Sequence, residues 1–524
     1  MRVEGNCKIT INNSKENQVK FSKSLTCCAI ALALSGVSAA QAADTEAKAA
    51  STSELAQLIQ IDNTGNTLTV TQRSNNGAGN VLTSSQEGES NVSEVSIAGD
   101  GNTTTVAQAG TGNLTKVTAA GDGNTQEYSQ DGEQNGALTE LNGNDNNLNI
   151  TQRGVGYLGI NNEVTNNITG DGNRIHVEQS SGGHWFYNTD MQGNNNQVTA
   201  VQQGTWGEVN IDRVQGDQNS IEVDQNGTYN ELNLASLQGN DNDLSLSQEG
   251  NYNKFTIDTL AGNDNELQVE QSAGNGNRVE MAELQGESNR VDLEQEGNDN
   301  RMTSTLFGGD SNYVTVAQLG DNNQTTFDVV GNDNDFDAQQ RGNDNQAYLG
   351  AAGNDNEYST LQLGDNNQLH IAKFNSNGSE VGVIQNGDNN EVVLQSSHPD
   401  NTLTSNNNML NVAQTGDSNG VSVTLASVTE SGLNQLDLVQ NGELNAIDLM
   451  LEGNGNDIAI EQTGGANFVA GVGTGAFVVN GSDNNIQINQ DGFGNLVEGG
   501  VNGSGQTINI TQVGDYNVAT VTQQ

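Results

Sequence analysis

The side chains best suited to metal ligation or nucleophilic chemistry are four histidines, His176, His184, His370 and His398, and three cysteines, Cys7, Cys27 and Cys28. Their spacing serves neither purpose. No two histidines stand at metal-ligand separation, and no Ser or Cys sits in a nucleophile motif. Carboxylate pairs abound, but 66 Asp and Glu against 17 Lys and Arg make such pairs a matter of chance. A β-helix enzyme would also need a cleft lined by basic or aromatic groups, and these residues are scarce. The expectation is a protein with no catalytic residues, no metal site and no cofactor.

Calcium is the strongest metal candidate. Gly-Asn-Asp-Asn recurs, as at Gly239-Asn240-Asp241-Asn242, Gly262-Asn263-Asp264-Asn265 and Gly353-Asn354-Asp355-Asn356. Stacked turn carboxylates would form an oxygen-lined column of the kind Ca²⁺ prefers. The calcium-binding β-roll, however, repeats about every nine residues with a fixed Asp. Here the interval is about eleven, and the Asp is often Gly, Ser or Asn. Loose association of Ca²⁺ or another cation is expected, with no dedicated site.

The remaining candidates are amides. Asn146-Asn147-Leu148-Asn149-Ile150-Thr151-Gln152 has an Asn, two apolar residues at alternate positions, and a Gln. The same frame recurs as Asn102 with Gln108, Asn124 with Gln130, Asn219 with Gln225, Asn242 with Gln248, Asn265 with Gln271, Asn289 with Gln295, and Asn312 with Gln318. Asn returns about every eleven residues and Gln at twice that interval, drifting later to about 23. About twenty such units run to Gln512. In two of them Ser379 and Gln506 replace the leading Asn.

The elements that must position these amides follow from the alternation. An apolar residue at every second place over five to seven residues is a strand with one buried face. The second half of each unit repeats the alternation, usually with a small or apolar residue in place of Gln, such as Ile97, Ala119 or Leu141. Four-residue segments rich in Gly, Asn and Asp separate the strands and tolerate positive φ. A single strand–turn–strand–turn unit cannot bury its apolar residues alone, but a stack can. The predicted fold is all-β: a β-solenoid of about twenty stacked coils, roughly 22–23 residues each, with two parallel in-register sheets face to face. At about 4.8 Å per layer this would be a rod roughly 95 Å long.

Parity places Asn and Gln on the inward face with the apolar residues. A buried amide without a partner is costly. In a stack each amide can donate to one neighbouring copy and accept from the other, which satisfies the group and fixes the register. Irregularities break the pattern after Gln152, where the turn carries Tyr157 and Ile160, and at 396–407 (with Pro399), 426–433 and 470–481. After Gln179, Trp185, Phe186 and Tyr187 are soon followed by Trp206, and these four form a candidate surface-binding loop.

The order of the chain completes the picture. Lys20 and Lys23 precede an apolar run from Leu25 to Leu34, and Ala40-Gln41-Ala42 is a small-x-small site, so residues 1–42 read as an export signal. Residues 43–53 read as a linker and 54–524 as the repeat region. The three cysteines lie in the leader, which leaves no disulfide framework. The leader carries five Lys or Arg and two Asp or Glu, so its removal takes the formal charge from −49 to −52. Such a charge excludes nucleic acid and disfavours anionic membrane surfaces. Nothing after residue 42 is long and apolar enough to span a membrane.

These residues carry a resemblance. The spacing from Asn124 through Gln130 and Gly132 to Asn135, and that from Asn445 to Gln462, is similar to the repeat of the curlin family, the subunits of the bacterial functional amyloid curli. The resemblance covers nearly all of residues 54–524. It implies a secreted structural subunit that leaves through a curli-type outer-membrane pore. Such a subunit polymerises on the cell surface with itself, other curlin subunits or a nucleator, and serves biofilm matrix and adhesion. The chain departs in having about four times the family's usual repeat number, in lacking most second-half Gln residues, and in showing no Gly/Asn-rich segment after the leader. Independently of the family, the repeat starts soon after the linker and runs to Val521 and Gln523 without a capping helix, so open ends that match one another are expected to join head to tail. The alternative from the residues is a monomeric solenoid adhesin that binds carbohydrate or another ligand, with cation-stabilised turns.

Overall fold

The computed structural model describes residues 7–13, 17–23, 55–62, 65–74, 78–155, 161–396, 403–473 and 475–523. Within these every regular element is a strand and no helix occurs. The chain is a β-solenoid of about nineteen turns with stacked parallel sheets. It divides into two compact units, Met1–Asn263 and Asp264–Gln524, built on one plan.

Each coil contributes one strand to each of two sheets. In the first unit, Thr103–Thr111, Thr125–Glu133 and Asn147–Val155 lie parallel and in register, so that Gln108 faces Gln130 and Gln130 faces Gln152. The return strands Val92–Ala98, Leu114–Ala120 and Gly136–Asn142 form the opposite sheet in the same way. In the second unit Arg290–Glu296, Tyr313–Leu319 and Asp335–Arg341 repeat the arrangement. Alternation puts Leu148 and Ile150 wholly inside, flanked by buried Asn146 just before the strand and buried Gln152 within it. The core is therefore two apolar side chains deep per strand, bounded by amides. It is narrow but continuous, because every coil repeats it.

The drift from 22 to 23 residues has a local cause in the return sheet. Asn166 pairs with Asn188 but Ile168 pairs with Met191, so the strand Trp185–Gln192 carries one extra residue. The next coils keep that bulge and split the return strand in two, as Glu208–Asn210 with Val214–Gln215 and Glu231–Leu232 with Leu237–Gln238. In the second unit the bulge is lost where Thr303 pairs with Thr326 but Phe307 pairs with Val329. It returns once where Leu349 pairs with Ile371 and Ala351 with Phe374. A bulge leaves one residue unpaired without disturbing the other sheet, so the Gln-bearing strands keep their register within each unit.

Of the irregular segments, 156–160 and 397–402 lie outside the described residues, as does His398. The expansion at 426–433 is held by Glu452, whose carboxylate accepts from the Val428 and Thr429 backbone N–H groups and the Thr429 hydroxyl at 2.8–2.9 Å. At the N-terminus, Cys7–Asn13 and Asn17–Lys23 pair antiparallel. The apolar run and the small-x-small site of the leader lie outside the described residues.

Corners fix the layer spacing. Gly132 has φ 127°, and a Cβ added to it would fall 1.9 Å from the carbonyl oxygen of Gly154 one layer on. Gly308 has open space around its Cα and no left-handed φ. Gly132→Ala is expected to destabilise the chain by about 2 kcal/mol or more, whereas Gly308→Ala should stay within about 0.5 kcal/mol of wild type. Denaturant midpoints of the two variants check this.

Candidate functional site

The feature with most chemical content is the pair of buried amide columns. Gln side chains donate forward: each Nε2 gives a hydrogen bond to Oε1 of the next coil, from Gln86 through Gln108, Gln130, Gln152, Gln179, Gln202 and Gln225 to Gln248, at 2.8–3.0 Å. Asn side chains donate backward. Asn124 Nδ2 donates to Asn102 Oδ1 at 2.9 Å, and Asn146 Nδ2 to Asn124 Oδ1 at 3.0 Å. The backbone N–H of Asn146 donates to the same Asn124 oxygen at 3.0 Å. The second Nδ2 proton reaches the Gly170 carbonyl at 2.9 Å. Every donor and acceptor of the Asn146 amide is used, as burial requires.

The same pattern holds at the other positions. Asn219 donates to Asn196, and Asn242 to Asn219. In the second unit Asn289 donates to Asn265, Asn312 to Asn289, Gln271 to Gln295, and Gln295 to Gln318. All of these side chains are buried. Where Ser379 stands in for Asn its side chain is too short, and the Ser376 hydroxyl completes the rung by donating to Asn356 Oδ1 while lying within hydrogen-bond distance of Ser379 Oγ. Gln506 keeps the backbone half of its rung, N–H to Asn484 Oδ1 at 2.9 Å.

Return strands carry a second Asn column, running from Asn91 through Asn113 and Asn135 to Asn162. Its signal was the intermediate Asn of the eleven-residue spacing. At the next rung stands His184, which reproduces an asparagine. Its Nδ1 accepts from the Gly207 N–H at 3.1 Å, as Oδ1 would. Its Nε2 lies 3.0 and 3.1 Å from the Ser180 and Gly204 carbonyls, where Nδ2 would donate. That pattern assigns the neutral Nε2–H tautomer. The larger ring fills space belonging to the following rung, which is why Gly207 stands there, with the Gln225, His184 and Gln202 side chains about 3 Å from the point a Cβ would take.

Corner chemistry accounts for the Gly-Asn-Asp-Asn runs. In such a run the Gly permits the close approach, the second residue accepts a backbone hydrogen bond, the third adopts left-handed φ, and the fourth is the buried Asn. The second residues form an outer column: Asp122 N–H donates to Asn144 Oδ1 at 2.8 Å, Asn144 N–H to Asp171 Oδ1 at 2.6 Å, and Asn194 N–H to Asp217 Oδ1 at 2.7 Å. The acceptor is Oδ1 in each case, which Asp and Asn both supply, and Asn144 and Asn194 add a second bond from Nδ2 to the same Asp oxygen at 3.1 and 3.0 Å. Among the described residues no three His, Cys, Asp or Glu side chains converge to hold a metal ion.

The aromatic segment is a strand and not a loop, because Phe186 and Asn188 alternate inward with Trp185 and Tyr187 outward. Phe186 is fully buried, which removes it from the candidate binding surface. Trp185 and Trp206 meet edge to face at 6.1 Å, and Trp206, Tyr229 and Tyr252 stack at 5.2–5.4 Å.

A two-sheet parallel β-solenoid, closed by buried amide columns and corner Gly residues, defines a structural repeat protein. The model of the curlin associated repeat matches residues 239–272 and 309–342, and these two matches support a curlin-repeat assignment. That family is a structural one. No curated protein matches the chain.

Two predictions test the amide columns. Gln72 is buried in the return sheet against Ile97, and among the described residues neither its Oε1 nor its Nε2 has a hydrogen-bond partner. Gln72→Leu should therefore stabilise the chain, by about 1–2 kcal/mol, read from the denaturant midpoint. His184 supplies a pH test. Burial pushes its imidazole below the usual 6.5, and the hydrogen bonds to the Ser180 and Gly204 carbonyls oppose this in part. A proton on Nδ1 would also face the Gly207 N–H. The contribution of this rung is then complete above the unfolded pKa and is lost as pH falls toward the lower folded value. Intrinsic-rate-corrected amide protection at Trp185 and Gly207 should drop between about pH 7 and about pH 5 in wild type, and stay level in His184→Asn.

Proposed function

We propose that this chain is a secreted fibre subunit that assembles end to end into curli-like amyloid on the cell surface, where it serves biofilm matrix and adhesion. The observation that carries the reading is the self-complementarity of the coil face. Any cut through the stack leaves a Gln amide donor and an Asn amide acceptor on one face and a Gln acceptor and an Asn donor on the other, flanked by strand edges. The surface that matches all of them in register is another coil of the same kind. The partners are then further copies of the chain and other curlin subunits or a nucleator, with a curli-type outer-membrane pore as the export route. The role is structural, without catalysis or a cofactor. Divalent cations act as loosely held counter-ions of the acidic corners.

Charge sets the conditions. A formal −49 on the full chain opposes the approach of copies. Salt near 0.5 M shortens screening to about 4–5 Å, below the span of a coil. Electron microscopy and thioflavin fluorescence of the purified chain, followed over time, should show fibres that form faster at about 0.5 M salt than at about 0.05 M. A chain that stays monomeric at micromolar concentration in high salt would sink the reading. A rate indifferent to salt would remove only the electrostatic part.

A further inference from the structure

Trp185 occupies an outward position of its strand. Glu163 stands beside it on the preceding coil and Glu208 on the following one, both in register. The three side chains thus follow one another at about 4.8 Å along the stack. Both carboxylates are oriented by neighbours: the Tyr187 hydroxyl donates to Glu163 at 3.3 Å, and Asn210 Nδ2 donates to Glu208 at 2.7 Å. Neither takes part in an ion pair among the described residues. The next carboxylate of the column, Glu231, differs in this respect, because Lys254 Nζ lies 3.1 Å from it.

The indole is held as firmly as the acids. Trp206 meets it at 83°, and an edge contact of this kind covers at most one face of Trp185. Trp206 is itself backed by Tyr229 and Tyr252 in near-parallel stacking. These three rings sit at successive corners with φ near 60°. Bulky side chains rarely adopt that conformation, and elsewhere the same corner holds residues such as Gly112, Asn322 or Asp344. Tyr229 and Tyr252 remain 45% and 62% exposed, so core burial does not explain them.

We propose that Trp185, between Glu163 and Glu208, is a docking site for an arginine side chain on an extended segment of a protein partner. A guanidinium can stack on the indole face and donate in its own plane to a carboxylate on either side. A lysine ammonium is a point charge and cannot do both. A neutral sugar would leave two oriented carboxylates without a counter-charge. The net −49 of the chain draws a cationic segment toward it. This surface lies on the outward face of the sheet, and the proposal stands whether or not coil faces drive assembly.

The chain contains two tryptophans, and both belong to this patch, so intrinsic emission reports it alone. The full chain would be titrated at low salt with tetra-arginine, tetra-lysine and a neutral cello-oligosaccharide. Tetra-arginine should change the emission saturably, with a half-saturation about fivefold or more below that of tetra-lysine. In Glu163→Gln/Glu208→Gln the response should weaken about tenfold, while the charge-matched Glu222→Gln/Glu249→Gln keeps it. Trp185→Ala, followed through Trp206, should lose it with an unchanged circular dichroism spectrum. Equal responses to the two cationic peptides, an unaltered response in Glu163→Gln/Glu208→Gln, or a response to the oligosaccharide alone would each overturn the proposal.

Discussion

A primary amide buried between two sheets has to find both a donor and an acceptor, and water is not at hand. In this molecule the partners that recur from rung to rung are the same amides one layer above and one layer below, with backbone groups taking what is left. Gln152 shows the constraint fully: it accepts from Gln130 at 2.8 Å, donates to Gln179 at 2.9 Å, and spends its other proton on the Gly136 carbonyl at 2.9 Å. Leu148 and Ile150 supply burial that many folds could use. The amides demand an identical neighbour, so they set register, layer spacing and the parallel sense of the strands. The Gln column donates forward along the stack and both Asn columns donate backward, so the Gln dipoles offset only part of the moment of the Asn rows.

Much of this was legible in the sequence because a repeat multiplies a weak signal. One Asn-x-apolar-x-apolar-x-Gln segment is an unremarkable strand; in-phase copies from Asn102 to Gln318 fix fold, inward face and stacking mode together. What stayed hidden was non-periodic. The drift to 23 residues was visible as a number, but only pairing at Asn188 and Met191 locates it as a bulge. His184 looked like an isolated histidine, because its likeness to asparagine lies in the position of two ring nitrogens and not in its type. Phe186 was grouped with the surface aromatics, since a cluster of large rings after a Gly pair reads as a loop until strand parity is known. The Asp-rich corners suggested calcium. The structure gives their Oδ1 atoms to backbone N–H groups, a use that Asn fills as well.

Outside, the rules are looser. Described ion pairs such as Arg153 with Glu178 and Arg290 with Glu266 join neighbouring layers at 3.0–3.2 Å but are largely solvent-exposed, and exposed pairs contribute about 0–1 kcal/mol each. They offset little of the excess negative charge. Stability therefore comes from the narrow core and its amides, while the outer face is free to vary. That division lets a strand such as Trp185–Gln192 keep Phe186 and Asn188 in the interior and still carry Trp185 and Tyr187 outside.

The bulge in the return sheet has a bearing on how such a chain can change length over generations. The Gln-bearing strands keep register across coils of 22 and 23 residues alike, because the odd residue is absorbed where no Gln rung depends on it. A duplication or loss of one whole coil would leave every remaining rung with a partner of its own kind. Loss of half a coil would set a Gln-bearing strand against a return strand and strand its amides inside an apolar layer. The gene can thus be lengthened or shortened only in whole-coil steps, each of which the protein tolerates with an interior it already has.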